Sequence, residues 1–220
     1  MMKRMYNHAS AKKIVRKGYD KIATSYTVAR TADSDSEDIQ LLNLLVDRLP
    51  KEATILDAGC GSGRPVTQLL AESFAVTGVD FSHEQLHMAK ANVRNAGFIC
   101  ADLSHVPFKD EAFDAICSYY SIIHIPRDEH SKLLMGFHRI LRTSGLVLLC
   151  TGAGDLNEDV GDYLGSAMFW SHYDSETNLR MITESGFELV WSGIVKDPFD
   201  SAASHLFVLG KKKQFRFTFR

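Results

Sequence analysis

Ile55-Leu56-Asp57-Ala58-Gly59-Cys60-Gly61-Ser62-Gly63-Arg64-Pro65 is the stretch on which the reading of this chain turns. Thr54 to Leu56 is predicted to end a short buried strand, and Val66 to Glu72 to form a helix. Between them three glycines occupy alternate positions. Glycine tolerates positive φ and carries no Cβ, so the turn can be tight and a ligand can approach the backbone. A helix beginning just beyond such a turn offers free N–H groups and a positive dipole end. Strand, glycine turn and helix together predict a nucleotide site. Dinucleotide sites favour G-x-G-x-x-G pressed against a pyrophosphate. Here Asp57 precedes the first glycine, and a fixed negative charge suits a ligand with a cationic amine better than a pyrophosphate.

Two further acids extend the pattern. Asp80 follows Gly78-Val79 at the end of a predicted strand, 23 residues beyond Asp57. That is close to the spacing at which an acid binds ribose hydroxyls. A carboxylate can accept from both the 2′- and 3′-hydroxyls. Asp102 ends the next strand, where it can accept from an adenine amino group. Leu103 can offer its backbone N–H to a ring nitrogen, and Phe81 can lie on the adenine face. Open α/β sheets bind ligands beyond the carboxyl ends of their strands, so acids at successive strand ends converge on one site.

Asp57-x-Gly59-x-Gly61-x-Gly63 followed by Asp80 and Asp102 resembles the cofactor motifs of the class I S-adenosylmethionine-dependent methyltransferases. The resemblance covers roughly Tyr19 to Gly210. It implies S-adenosylmethionine as cofactor, with Gly59 and Gly61 along its methionine portion, Asp80 at ribose and Asp102 at adenine. Cys60, Gly63, Ser82 and Ser118 are placed on the same rim.

Outward from the motif, strands and helices alternate. Phe74 to Val79, Gly97 to Cys100, Phe113 to Cys117 and Leu146 to Cys150 read as strands. Ser82 with Gln85 fits a capping box for a helix to about Asn95. Arg127 to Leu141 reads as another helix. This alternation implies crossover connections and a mainly parallel sheet. Asp174 caps a helix ending near Ser185-Gly186. Phe187 to Val195 and His205 to Leu209, with no room for a helix between them, are expected as antiparallel neighbours.

The expected fold is therefore a doubly wound, Rossmann-like α/β domain. It has a mostly parallel seven-stranded sheet, an antiparallel C-terminal strand and an N-terminal helical cap. One domain spans residues 1–220, with the cap at 1–50, the cofactor core at 51–150, a substrate-side segment at 151–210 and a basic tail at 211–220. In the cap, Ala11 to Ala29 predicts one or two amphipathic helices, and Ile39 to Leu49 a further one closed by Pro50.

The reacting end is expected after the fourth strand, at Ser118-Tyr119-Tyr120-Ser121 and Ile122-Ile123-His124-Ile125-Pro126. The resembled family usually brings the sulfonium methyl there. His124 has a suitable unperturbed pKa for a base, with packing against the sheet as its structural alternative. Tyr119 is the second catalytic candidate. The segment lacks the Asp/Asn-Pro-Pro-aromatic and Pro-Cys motifs of nucleic-acid methyltransferases. Tyr19-Asp20-Lys21-Ile22-Ala23-Thr24-Ser25-Tyr26 resembles the tyrosine segment that folds over the cofactor in small-molecule methyltransferases. A tyrosine face also attracts a cation, so Tyr19 and Tyr26 join the cofactor set. Thr151 to Tyr173 reads as a long aromatic connection. Within it Met168, Phe169, Trp170 and His172, together with Tyr120, are the candidates for holding the acceptor, against ordinary core packing.

Composition bounds the rest. The 220 residues are 45% apolar and 24% charged with a formal charge of −2, ordinary globular values without a nucleic-acid footprint. Basic residues gather at both ends, where solvated termini are the plainer reading and an anionic partner the sharper one. No apolar run is long enough to span a membrane, and Met1 to Ser10 lacks an apolar signal core. Cys60, Cys100, Cys117 and Cys150 match no zinc spacing and are expected as reduced core thiols in a cytoplasmic protein. No metal is expected. The expected partner is a small-molecule methyl acceptor, with no nucleic acid or membrane, and the chain acts as monomer or homodimer. The rivals are a cofactor-binding sensor without catalysis and a nicotinamide-dependent oxidoreductase, which Asp57 opposes.

Overall fold

The structure is a computed structural model, and it describes residues 6–32, 36–200 and 202–213. In chain order the helices are α1 His8–Arg30, α2 Glu37–Gln40, α3 Leu42–Val46, α4 Val66–Ala71, α5 His83–Asn92, α6 His130–Ile140 and α7 Ser175–Glu184. The strands are β1 Thr54–Ala58, β2 Ala75–Asp80, β3 Gly97–Cys100, β4 Phe113–Ser118, β5 Leu141–Gly152, β6 Leu156–Tyr163, β7 Ser166–His172, β8 Phe187–Lys196 and β9 Ser204–Lys212.

Seven strands form one sheet in the order β3-β2-β1-β4-β5-β9-β8. β1 to β5 are parallel, and β9 runs antiparallel to both β5 and β8. The chain moves outward from β1 to β3 and then returns to place β4 on the other side of β1. The crevice at that reversal lies at the end of the glycine turn, where open α/β sheets take their ligands.

The central strands bury both faces. Ile55, Cys117 and Leu148 pack into one layer with Leu45, Leu70 and Val76. Leu56, Ile116 and Val147 pack into the other with Leu133, Phe137 and Ile182. Burial on both sides explains why these strands read as continuous apolar runs rather than alternating ones. Ser82 caps α5 by accepting from the Gln85 N–H, and Asp174 caps α7 by accepting from Thr177.

Several expectations need correcting. The long connection through Thr151 to Tyr173 is instead the end of β5 followed by the hairpin β6–β7, a separate two-stranded sheet. Its acidic β6 half hid the strand signal, and the hairpin is covered by α1 rather than by the main sheet. The expected helix at Ile39 to Leu49 is two short helices meeting at Leu41. β5 starts at Leu141 rather than Leu146, because Leu141 already pairs with Phe113 across an irregularity in register. Of the one or two helices expected over Ala11 to Ala29 the structure has one, α1, continuous over 23 residues and therefore longer than expected. Cys100 is exposed at the sheet edge, unlike the other three thiols. Lys211 and Lys212 belong to β9, while residues 214–220 of the expected tail lie outside the described residues.

Candidate active site

All three glycines of the turn have positive φ, +87° at Gly59, +52° at Gly61 and +76° at Gly63. A Cβ on Gly59 would stand 2.3 Å from the Cβ of Ser121, so the loop after β4 closes directly on the turn. The Gly59 and Cys60 N–H groups both donate to the Val79 carbonyl, tying the turn to the end of β2. Asp80 then braces it from the side. One carboxylate oxygen accepts from the Gly61 N–H at 3.0 Å and the other from the Ser82 N–H at 2.9 Å. Burial raises the Asp80 carboxyl, with these backbone bonds opposing the shift.

Asp57 lies beneath the turn at 2% exposure, accepting from the Thr67 hydroxyl at 2.5 Å. Burial pushes its carboxyl up to about 7 against the Thr67 bond, and the nearby Asp80 adds to the rise. Arg30 and Arg64 line the same lobe as Asp57 and Tyr26. A zwitterionic amino-acid group would meet both signs of charge there.

At the other end Asp102 accepts from the Ser104 N–H and from Lys12 Nζ, each at 2.9 Å. Burial alone would raise Asp102, but these bonds outweigh it and hold the carboxyl below its usual range. Phe81, Ala101 and Leu103 line the cavity beside it, giving an apolar slot with one acceptor at its edge.

Between the two ends His124 and Tyr19 face the same cavity. The Tyr19 hydroxyl is 2.9 Å from His124 Nε2, and His124 Nδ1 is 2.7 Å from the Phe169 carbonyl. A carbonyl only accepts, so Nδ1 carries the proton and Nε2 accepts from Tyr19. Burial lowers His124 to about 4, so the imidazole is neutral near pH 7.

The structure sorts the remaining expectations. Tyr119 and Tyr120 line the cavity with their rings, but their hydroxyls turn away to Asp38, at 2.9 Å to its carbonyl and 3.0 Å to its carboxylate. Tyr119 is therefore a wall of the site and not a proton-transfer group. Tyr120 holds φ +50° under this constraint, with the Arg30 guanidinium 4.8 Å from its ring. Tyr26 lines the cavity beside Tyr19. Cys60 borders the Asp57 lobe and does not line the cavity that holds Tyr19 and His124. The hydroxyls of Ser82 and Ser118 serve the fold: Ser82 donates to Asp20 and Ser118 to the Ala58 carbonyl.

Met168 and Phe169 correct a larger expectation. Both are fully buried against Ala11, Val15 and Ile22 of α1, so they pack the cap and do not line the cavity. Trp170 lies tilted against His124 with ring centroids 5.9 Å apart, and the His172 ring bonds the Gly154 carbonyl. Of this group Phe169 still reaches the chemistry, through its backbone carbonyl.

Four residues went unnoticed in the sequence. Lys12 and Arg30 looked like ordinary helix charges, and Tyr163, which packs near Tyr26 and Trp170, lies on the unpredicted hairpin. Gln85 appeared only as part of a cap. Its side-chain amide is buried with neither nitrogen nor oxygen bonded, and its oxygen lies 3.6 Å from where a Gly61 Cβ would stand. An unbonded amide beside bare glycine backbone fits a polar ligand seated along the turn. With the acid at each strand end and the mixed charge of the Asp57 lobe, these residues suit S-adenosylmethionine. Among the described residues no cluster could hold a metal ion, and no helix is long and apolar enough to cross a membrane.

Residues 56–149 match the methyltransferase-domain family. The chain is 36% identical over 110 residues to methyltransferase GfsG of Streptomyces halstedii, covering 46% of this chain and 39% of that protein. It is 28% identical over 170 residues to a malonyl-[acyl-carrier protein] O-methyltransferase of Hamiltonella defensa, covering 77% of this chain and 61% of that one. It thus spans less than two thirds of the length of these relatives. Among solved structures, Burkholderia thailandensis 1,6-didemethyltoxoflavin-N1-methyltransferase with bound S-adenosylhomocysteine superposes with a TM-score of 0.74 at 17% identity, covering 97% of this chain and 94% of that one. The family match over residues 56–149 takes in the glycine turn and all three acids of the rim, and the sheet order gives the chain the Rossmann-like fold of solved S-adenosylmethionine-dependent methyltransferases.

Proposed function

We propose that the protein transfers a methyl group from S-adenosylmethionine to a small organic acceptor whose attacking oxygen or nitrogen carries a proton. One observation supports this above the others: the Tyr19–His124 pair opens into the same cavity as the glycine turn, Asp80 and Asp102. The cofactor supplies a methyl group on a cationic sulfur. Asp80 accepts from the ribose hydroxyls, Asp102 and Leu103 take the base, and Asp57 with Arg30 faces the amino-acid end. His124, oriented by the Phe169 carbonyl, accepts the acceptor's proton at Nε2, directly or through the Tyr19 hydroxyl. α1 and the aromatic side of β7 exclude water from that exchange, and holding the reactants in line supplies much of the rate.

The malonyl-[acyl-carrier protein] O-methyltransferase relative and the 1,6-didemethyltoxoflavin-N1-methyltransferase that shares the fold are named for oxygen and nitrogen methylation, which supports an oxygen or nitrogen acceptor. Tyr26, Tyr119 and Tyr120 line the cavity together with the Tyr19–His124 pair, which favours a planar or hydroxylated molecule over nucleic acid. The free cysteines suit a reducing compartment, so we place the protein in the cytoplasm.

The test is formation of S-adenosylhomocysteine from S-adenosylmethionine across a panel of phenols, alcohols, carboxylic acids and amines. At least one protic class should turn over. His124→Gln should then lower kcat at least ~10-fold, about 1.4 kcal/mol, with S-adenosylhomocysteine affinity unchanged. Tight cofactor binding without turnover of any class would favour the sensor instead.

A further inference from the structure

Helix α1 lies over the carboxyl ends of the strands with Lys12, Val15, Tyr19 and Tyr26 on its inner face. The cavity beneath it is about 70 Å³. Pockets that enclose a ligand of cofactor size run to roughly 300–1,000 Å³. A ligand of that size therefore needs the cavity to widen, and α1 forms one wall of it.

What holds the helix differs along its length. Its C-terminal end is anchored by Arg30 and Asp38, 3.0 Å apart and both nearly inaccessible, and its middle by Asp20 bonding Ser82 at 2.7 Å. The first turns are held by Ala11 and Val15, buried against Met168 and Phe169, and by ion pairs that solvent still reaches. Lys12 Nζ donates to Glu129 at 2.6 Å, Asp102 at 2.9 Å and Ser104 Oγ at 3.1 Å, which uses all three ammonium hydrogens. His8 lies 2.9 Å from Asp128 and 2.8 Å from Glu129. Gly18 sits between the two halves. A Cβ there would meet the Ala167 carbonyl at 2.8 Å, so glycine is required for packing on β7 and leaves the helix intrinsically weakest at that point.

The grip on Asp102 gives this arrangement its consequence. One oxygen of Asp102 is taken by the Ser104 N–H and the other by Lys12. An adenine amino group docking at this carboxylate must share or displace the ammonium. We propose that Lys12 is a latch: it pins the N-terminal half of α1 over the base slot, and its release from Asp102 admits the cofactor. The proposal rests on the cofactor reading given above. It makes opening of residues 8–17, and not diffusion into a formed pocket, the step that sets cofactor entry.

Lys12→Met keeps the apolar stem and removes every donor. In ligand-free protein, amide hydrogen exchange over residues 8–17 should accelerate at least ~5-fold in Lys12→Met and remain slow in Lys12→Arg, while residues 20–30 stay unchanged. Stopped-flow association of S-adenosylhomocysteine should be at least ~5-fold faster in Lys12→Met. In wild type association should speed up with added salt, which screens partly exposed ion pairs, and this dependence should flatten in the variant. Unchanged exchange in Lys12→Met would refute the latch. Slower association or faster dissociation in Lys12→Met would also refute it, by showing that Lys12 binds the cofactor. Should wild type bind no S-adenosylhomocysteine, the competition fails along with the cofactor reading, and the exchange comparison alone decides whether an ionic latch exists.

Discussion

Asp57→Asn separates the charge of this residue from its shape. The carboxyl is raised to about 7 because it is buried, with Asp80 close by and one hydroxyl bond from Thr67 in partial compensation. A ligand that brings a cationic amine and a sulfonium to the turn favours the carboxylate. If binding returns Asp57 to the ordinary aspartate range, only the ionised fraction binds well. That fraction is about one tenth at about pH 6 and nine tenths at about pH 8. Affinity for S-adenosylmethionine should therefore rise about tenfold over this window, about 1.4 kcal/mol. Near pH 7 about half a proton should be released per molecule bound. Calorimetry in two buffers of different ionisation enthalpy reads both quantities. Asp57→Asn keeps the hydrogen-bonding outline but cannot titrate, so its affinity should vary less than about twofold over the window. The same group sets a stability signature of the opposite sense. Its native pKa lies above its unfolded one, so the ligand-free fold loses stability as pH rises from about 4 through about 7, and Asp57→Asn should be the more stable protein above that window. An equal pH slope in wild type and Asp57→Asn would refute the assignment of the titration to this residue, as would affinity that falls with pH.

Two other substitutions probe the rim and the cap. Asp80→Ala removes the acceptor of the Gly61 and Ser82 N–H groups as well as the expected ribose contact, and should weaken S-adenosylhomocysteine binding by about 1.5–3 kcal/mol in calorimetry; wild-type affinity would reduce Asp80 to a brace for the turn. Phe169→Ala removes a fully buried ring between the hairpin and α1, and should cost ~3–5 kcal/mol in denaturant unfolding, because the residue is core; a stable variant with a raised acceptor KM would return it to the acceptor site.

The central sheet and the cofactor rim were legible in the sequence because both are written locally. Strands buried on two faces are continuous apolar runs, and Asp57, Asp80 and Asp102 lie at the carboxyl ends of successive strands, the first two within β1 and β2 and the third just past the edge strand β3. The glycines at 59, 61 and 63 signal positive φ by their identity. Only the tertiary structure decided how the cap meets that rim. The hairpin β6–β7 shows little apolar alternation in sequence, and its covering face comes from α1, which ends at Arg30, far earlier in the chain. Met168 and Phe169 therefore looked like an aromatic binding surface until their partner was in place. His124 shows the same division. Its position after β4 marked it as a candidate, but its tautomer is set by a carbonyl 45 residues away and its partner by a tyrosine 105 residues away. Side-chain identity and strand period are carried within a few residues of chain. Which hydroxyl, carbonyl or ammonium reaches a buried group depends on packing between elements far apart in sequence, and no local pattern records it.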